Sequence, residues 1–237
     1  MTMTIDRSRP PISRTNPARR IRVAGEDGAS YVLRPTLVSD VDAIVDAFEE
    51  SQPALRRFMP WSHAPQSVGG QIARLKVVEA DYFAGRELTM ALFRATPAGE
   101  RFVVMVGLHS RVPLNPAALE VGYWARTSES GRGLTVFATK IAVAYAFDKL
   151  QADRVQAICD SANAASRRVL ERVGFSEEGI LSNVTARPSD ELLAGGFVHT
   201  GTSPMFALTP ERYAALPWVH ELRARTTYEN ILGEVER

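Results

Sequence analysis

Residues 120–150 read EVGYWARTSESGRGLTVFATKIAVAYAFDKL, and the order of patterns along them decides the fold. Glu120 to Trp124 has the composition of a strand. A polar turn follows from Arg126 to Gly133, with Ser130, Gly131, Arg132 and Gly133 at its tip. Leu134, Phe137, Ile141 and Tyr145 then recur at helical spacing. A strand that passes through a glycine-containing turn into a helix makes an anion site. The first amides of the helix lack an intrahelical acceptor, the helix dipole favours negative charge there, and glycine lets the backbone approach a ligand. On its own the turn is equally an ordinary strand-to-helix connection.

Composition narrows the setting. The chain has 237 residues, 45% hydrophobic and 23% charged, in the range of a globular protein. A formal net charge of +1 argues against bulk attraction to nucleic acid or to a membrane. The single cysteine, Cys159, excludes an internal disulfide framework, and its place in the run VQAIC predicts a core residue. No apolar run is long enough to span a bilayer, and the N-terminus lacks the apolar core of a secretory signal. A cytoplasmic location is expected. No His/Cys/Asp cluster at ligand spacing appears, so no metal is expected.

Outward from the central stretch, residues 1–19 are rich in Thr, Ser, Arg and Pro and read as a mobile tail. Arg20–Ala24 and Tyr31–Arg34 read as strands around a Gly25–Gly28 turn. Val41, Ile44, Val45 and Phe48 mark a helix, Pro53 the start of a further short one, and Gln71–Phe83 an amphipathic helix. Leu88–Arg94 and Phe102–His109 read as strands. After the central helix come a strand at Arg154–Cys159, a helix at Ala164–Arg172 stopped by Gly174, and strands at Phe175–Leu181 and Pro204–Leu208. The segment Ser182–Ser203 between the last two is long, and it holds Pro188 and Gly195-Gly196. The chain is expected to divide into a main domain over 20–212 and a helical appendage over 213–237.

Residues 144–179, AYAFDKLQADRVQAICDSANAASRRVLERVGFSEEG, carry a more specific pattern. With LRP at Leu33–Pro35, RRFMPW at Arg56–Trp61 and EVGYW at Glu120–Trp124, they closely resemble the GNAT superfamily of acetyl-CoA-dependent N-acetyltransferases. The branch most resembled contains the bacterial ribosomal-protein N-terminal acetyltransferases. The resemblance covers roughly residues 30–210. It departs from the family pattern at Ser128, at Val136-Phe137, and at Leu170, where many members carry a tyrosine. It implies an α/β (α+β) fold with a mixed, mostly antiparallel, splayed central sheet and helices on both faces.

The resemblance also assigns roles. Acetyl-CoA would be held by the backbone of Ser130, Gly131, Arg132, Gly133, Leu134 and Thr135, with the Arg132 side chain beside the phosphates. Tyr123, Asn163, Ser166 and Arg168 would also contact the cofactor, and Arg126 would face water. Glu120 would be the base, acting through a water, and Ser166 the acid. Trp61, His109 and Glu120 would line the acceptor side, and Ser182–Ser203 would project near its mouth. The acceptor would be a primary amine: the leading reading is a protein or peptide N-terminus, and the second a small amine such as an antibiotic, polyamine or amino acid. A non-catalytic acyl-CoA-binding module is the third reading. No nucleic-acid or membrane partner is implied, and a homodimer is left open.

Overall fold

The computed structural model describes residues 17–64, 67–110, 112, 115, 117–230 and 234–236. The strands are β1 Arg20–Ala24, β2 Ser30–Pro35, β3 Leu88–Thr96, β4 Gly99–His109, β5 Ala118–Ala125, β6 Arg154–Ile158, β7 Ser176–Ser182, β8 Thr202–Leu208, β9 Thr226–Glu229 and β10 Val235–Glu236. The helices are α1 Val41–Leu55, α2 Val68–Phe83, α3 Leu134–Asp148, α4 Ala164–Val173, α5 Asp190–Ala194, α6 Pro210–Ala214 and α7 Trp218–Ala224. The strands form one sheet in the order β10-β9-β1-β2-β3-β4-β5-β6-β8-β7. Its pairs are antiparallel except β5 with β6.

Alternation along the central strands builds a core on each face. On β3, Met90 and Leu92 join the cluster under α3, whereas Ala91 and Phe93 join the one under α1 and α2. Helix α3 is apolar nearly all round, and it is correspondingly buried, with Ala138, Ala142, Val143 and Ala146 fully inside. Its glycine-rich entry and the left-handed stop of α4 at Gly174 (φ 109°) stand as the sequence predicts.

Two elements differ from expectation. Helix α1 runs unbroken to Leu55 with Pro53 inside it, instead of restarting there. Proline so near the C-terminus removes one amide from the last turn, which the helix tolerates. The C-terminal region is helical only through Ala224. Thr226–Glu229 then pairs with β1 (Ile21 opposite Tyr228) and extends the sheet. Residues 1–16 of the expected tail lie outside the described residues. Ala18 is buried, its N–H donating to Tyr145 Oη (2.9 Å) and its carbonyl accepting from Tyr82 Oη (2.5 Å).

Candidate active site

The parallel pair β5/β6 holds for only three register partners, ending at Glu120 opposite Gln156. Beyond that point the two strands separate, each following its other neighbour: β4 for β5, β8 for β6. The seam opens into a cleft of about 640 Å³. Val121, Gly122 and Tyr123 form one wall, and Ala157, Ile158 and Cys159 the other. Phe58, Met59 and Pro60 close one side of its mouth, and residues 184–189 with Phe197, Val198 and His199 another. Much of the Ser182–Ser203 segment therefore borders the cleft. It is fastened there by Val198 N–H donating to Arg57 O (2.8 Å) and by the edge of Phe197 against His63.

At the far end of β5 the polar turn is tied down on several sides. Arg126 is buried, and its guanidinium bonds Glu50 (Nε, 2.6 Å) and Asp46 (Nη2, 2.6 Å) on α1. This corrects the expectation that Arg126 faces water: two carboxylates far along the chain draw it inward. Glu50 also accepts from the Ser128 amide (2.6 Å), and Ser51 Oγ from the Thr127 amide (3.0 Å). Glu129 is 3% exposed and accepts from Arg94 (3.1 Å), Arg101 (3.0 Å) and Arg132 (2.6 Å). One buried carboxylate thus gathers three guanidiniums from β3, β4 and the turn, the Arg132 contact being the shortest.

Gly131 and Gly133 both adopt left-handed backbone, φ 76° and 77°. The first bond of α3 runs from Phe137 N–H to Gly133 O, so the amides of Leu134, Thr135 and Val136 have no intrahelical acceptor. The Ser130 amide, in contrast, is used inside the turn, donating to Thr127 O (3.0 Å). The donors able to receive an anion therefore begin after Ser130.

Inside the cleft, Tyr123 Oη lies 3.0 Å from Ser166 Oγ and 3.2 Å from Ser166 O. Burial pushes the Tyr123 hydroxyl well above its ordinary pKa, so it stays protonated at any working pH. Tyr123 has one proton to give, to Ser166 O or to Ser166 Oγ, and the Ser166 hydroxyl also lies within hydrogen-bond reach of the Cys159 thiol. Asn163 caps α4, its Oδ1 accepting from the Ser166 amide (3.1 Å), and lines the same cleft. Cys159 is buried as expected but borders the cleft, and burial raises its thiol pKa.

Glu120 lines the cleft from the point where the seam opens, with Gln156 Nε2 3.5 Å from its Oε2. His109 sits opposite it in register. The imidazole Nδ1 of His109 meets Glu87 at 2.5 Å, and its ring lies over Gly107, where a Cβ would come within 2.4 Å of Nε2. Sequence reasoning missed Glu87; its partner is 22 positions away and no motif links them. Trp61 does not line the cleft. It packs between Phe48 and Trp124 (5.7 and 6.3 Å between ring centres), and its neighbours Phe58–Pro60 take the place expected of it. Arg168 is exposed on α4 and lies outside the cleft lining. Among the described residues no group of three or more His, Cys, Asp or Glu is arranged to hold a metal, and no helix is long and apolar enough to cross a membrane.

Known proteins share this architecture. Mycobacterium smegmatis RimJ, solved with a CoA disulfide, superposes with a TM-score of 0.68 at 23% identity, over 88% of this chain and 95% of that one. The ribosomal L7/L12 alpha-N-protein acetyltransferase RimL, solved with coenzyme A, gives a TM-score of 0.66 at 18% identity, over 80% and 99%. In sequence, YdaF of Bacillus subtilis, named as a ribosomal N-acetyltransferase, is 39% identical over 75 residues, 32% of this chain and 40% of that protein. YjcK of the same organism, named as an N-acetyltransferase, is 27% identical over 154 residues, 65% of this chain and 84% of that protein. The acetyltransferase (GNAT) domain model matches residues 31–176, more than half of the sequence. With the splayed seam, the glycine turn and this match together, the chain belongs to the GNAT acetyltransferase family.

Proposed function

We propose that this protein transfers an acetyl group from acetyl-CoA to a primary amine, and that the acceptor is a protein or peptide N-terminus. The observation that carries the reading is the open β5/β6 seam, with a carboxylate, Glu120, on one strand and the Tyr123–Ser166 hydroxyl pair beside it. The residues present fit a CoA thioester: helix amides after the turn with no intrahelical acceptor, and a largely apolar cleft at the open seam. Acetyl-CoA supplies the activated acetyl carbon and a sulfur leaving group.

The chain's own residues then have three tasks. The amides of Leu134, Thr135 and Val136 hold phosphate, and Asn163 orients the start of α4 beside the cleft. Glu120 accepts the ammonium proton, directly or through one water, so that a neutral amine is presented. Ser166 Oγ–H, backed by Tyr123, faces the place where negative charge develops on sulfur. This pair stands in for the tyrosine absent at Leu170, which is fully buried. Tyr123→Phe is expected to lower kcat about tenfold, the loss of one hydrogen bond, with Ser166→Ala lower still. A Tyr123→Phe enzyme with the wild-type kcat removes Tyr123 from the scheme.

The lining of the acceptor side favours a peptide over a polycationic small amine. Phe58, Met59, Leu192 and Phe197 dominate it. Its carboxylates are Glu120 and Asp160, and Asp160 already accepts from the amides of Ala162 (2.8 Å) and Thr200 (2.8 Å). The deciding experiment is acetyl-CoA turnover against N-terminal peptides and small amines side by side. Faster turnover of a small amine gives the acceptor to that class. CoA binding with no transfer to any amine leaves only a binding module. We place the protein in the cytoplasm, where nascent protein N-termini are met.

Replacing Ala186–His199 with a short Gly/Ser linker tests the acceptor wall separately. Acetyl-CoA affinity is expected to persist, because the turn lies at the other end of the seam, while KM for peptide rises and selectivity broadens. Unchanged selectivity would make the segment a plain surface loop.

A further inference from the structure

A second hollow, about 220 Å³, lies against the outer face of α3 next to the glycine turn. It shares Arg132, Gly133 and Leu134 with that turn but extends away from the β5/β6 seam, to the β1–β2 turn, the end of α4 and α7. Four cations line it, Arg132, Lys140, Arg172 and Arg225, together with two carboxylates, Glu26 and Asp27.

Both carboxylates are committed. Glu26 Oε1 accepts from Arg225 Nη2 (3.0 Å). Asp27 accepts from the Tyr31 hydroxyl (2.7 Å) and the Ala29 amide (3.1 Å). Arg132 is held partly by Glu129, and Arg225 keeps a buried Nε without a hydrogen-bond partner. Among the described residues, Lys140 and Arg172 have no carboxylate at ion-pair distance; Lys140 lies over the Trp218 ring at 5.1 Å. Burial pulls the Lys140 pKa down, and Arg172 and Arg225 nearby add to the shift, against the opposing pull of Glu26 and Glu221. Arg132 pairs with Glu129, and Arg225 with Glu26 and, at 3.8 Å, with Glu221, so Lys140 and Arg172 are the two lining cations with no ion-pair partner among the described residues. That pair suits a phosphate monoester, which carries about −1.5 to −2 near neutral pH. Trp218 and Phe137 add apolar surface beside the cations.

We propose that this hollow is a phosphate-monoester subsite that receives the ribose 3′-phosphate of CoA through Lys140 and Arg172, and so lets the enzyme distinguish CoA from dephospho-CoA. The inference rests on the acetyl-CoA reading above. The diphosphate and the 3′-phosphate of one CoA would then be held on two adjoining surfaces that share Arg132 and Gly133. Holding the second phosphate strengthens binding without touching the reacting atoms, so it acts on cofactor affinity and leaves kcat alone.

Calorimetry with CoA and dephospho-CoA tests this, with no turnover required. The wild type is expected to bind CoA about 10–100-fold more tightly, the ratio given by one or two charge-assisted hydrogen bonds, and the ratio should shrink as salt rises. In the Lys140→Gln/Arg172→Gln variant the two ligands should bind alike, at the wild-type dephospho-CoA affinity. The Lys140→Arg/Arg172→Lys variant keeps the charges and should keep the discrimination; thermal unfolding checks that both variants fold. Adenosine 3′,5′-bisphosphate should displace CoA better than adenosine 5′-monophosphate, and inorganic phosphate at the same concentration should not compete. Equal affinity for CoA and dephospho-CoA in the wild type overturns the subsite while leaving the acetyl-CoA reading intact. Discrimination that survives the Gln variant moves the phosphate elsewhere. Effective competition by inorganic phosphate makes the hollow a free-anion site. No binding of either CoA form removes both readings at once.

Discussion

Glu120→Gln is expected to lower kcat by about 10²–10⁴-fold while acetyl-CoA affinity stays where it is. The substitution keeps the shape of the side chain and its neighbour Gln156, so the cleft should not collapse. What it removes is the ability to take a proton where the seam opens. An α-amino group has an unperturbed pKa of about 7.7–8.0, so below that range most acceptor arrives charged and needs a base. The deficit should therefore narrow as pH rises past it. A rate at the wild-type level, or a deficit that ignores pH, assigns Glu120 to structure. In that event the Glu87–His109 pair, set opposite Glu120 in register, is the next group to replace.

The second large effect is expected from Gly131→Val with Gly133→Val. Open space surrounds both positions, so an added Cβ meets no protein atom within 4 Å. The cost comes from the backbone: φ of 76° and 77° is strained for a β-branched residue by about 1–3 kcal/mol each. The turn would relax to another shape and take the amides of Leu134–Val136 out of line. Acetyl-CoA affinity should fall ~100-fold or more, since every 1.4 kcal/mol is tenfold. Asparagine, which tolerates this conformation, is the control and should retain most of the binding. Undiminished affinity in the valine variant would place the cofactor elsewhere.

The elements around the seam were legible because their signals are local. The turn glycines, the spacing of α3 and the Gly174 stop each act within a few residues. What escaped was set by partners distant in sequence. Arg126 reads as a surface arginine until Asp46 and Glu50 appear, 80 and 76 positions earlier. Glu129, the carboxylate that gathers three arginines, has no sequence signature, because two of its partners lie on β3 and β4. Trp61 belongs to a motif whose neighbours line the cleft, yet its ring lies against Phe48 and Trp124 and stays half exposed. The fate of Thr226–Glu229 was hidden for the same reason. Its alternating burial makes sense only with β1 alongside.

That pairing of β1 with β9 has a consequence for how the molecule is made. Arg225 meets Glu26 across 199 positions of chain, so the outer edge of β1 has no neighbour until nearly all of the described sequence has left the ribosome. During that interval the nascent chain presents a bare strand edge, the kind of surface that recruits other strands. The delay is tens of seconds at most, at about 5–20 residues per second. Slowed elongation, or a stop codon before Thr226, would prolong the exposure without touching the β5/β6 seam. Such truncated chains should be lost to aggregation before their chemistry can be measured.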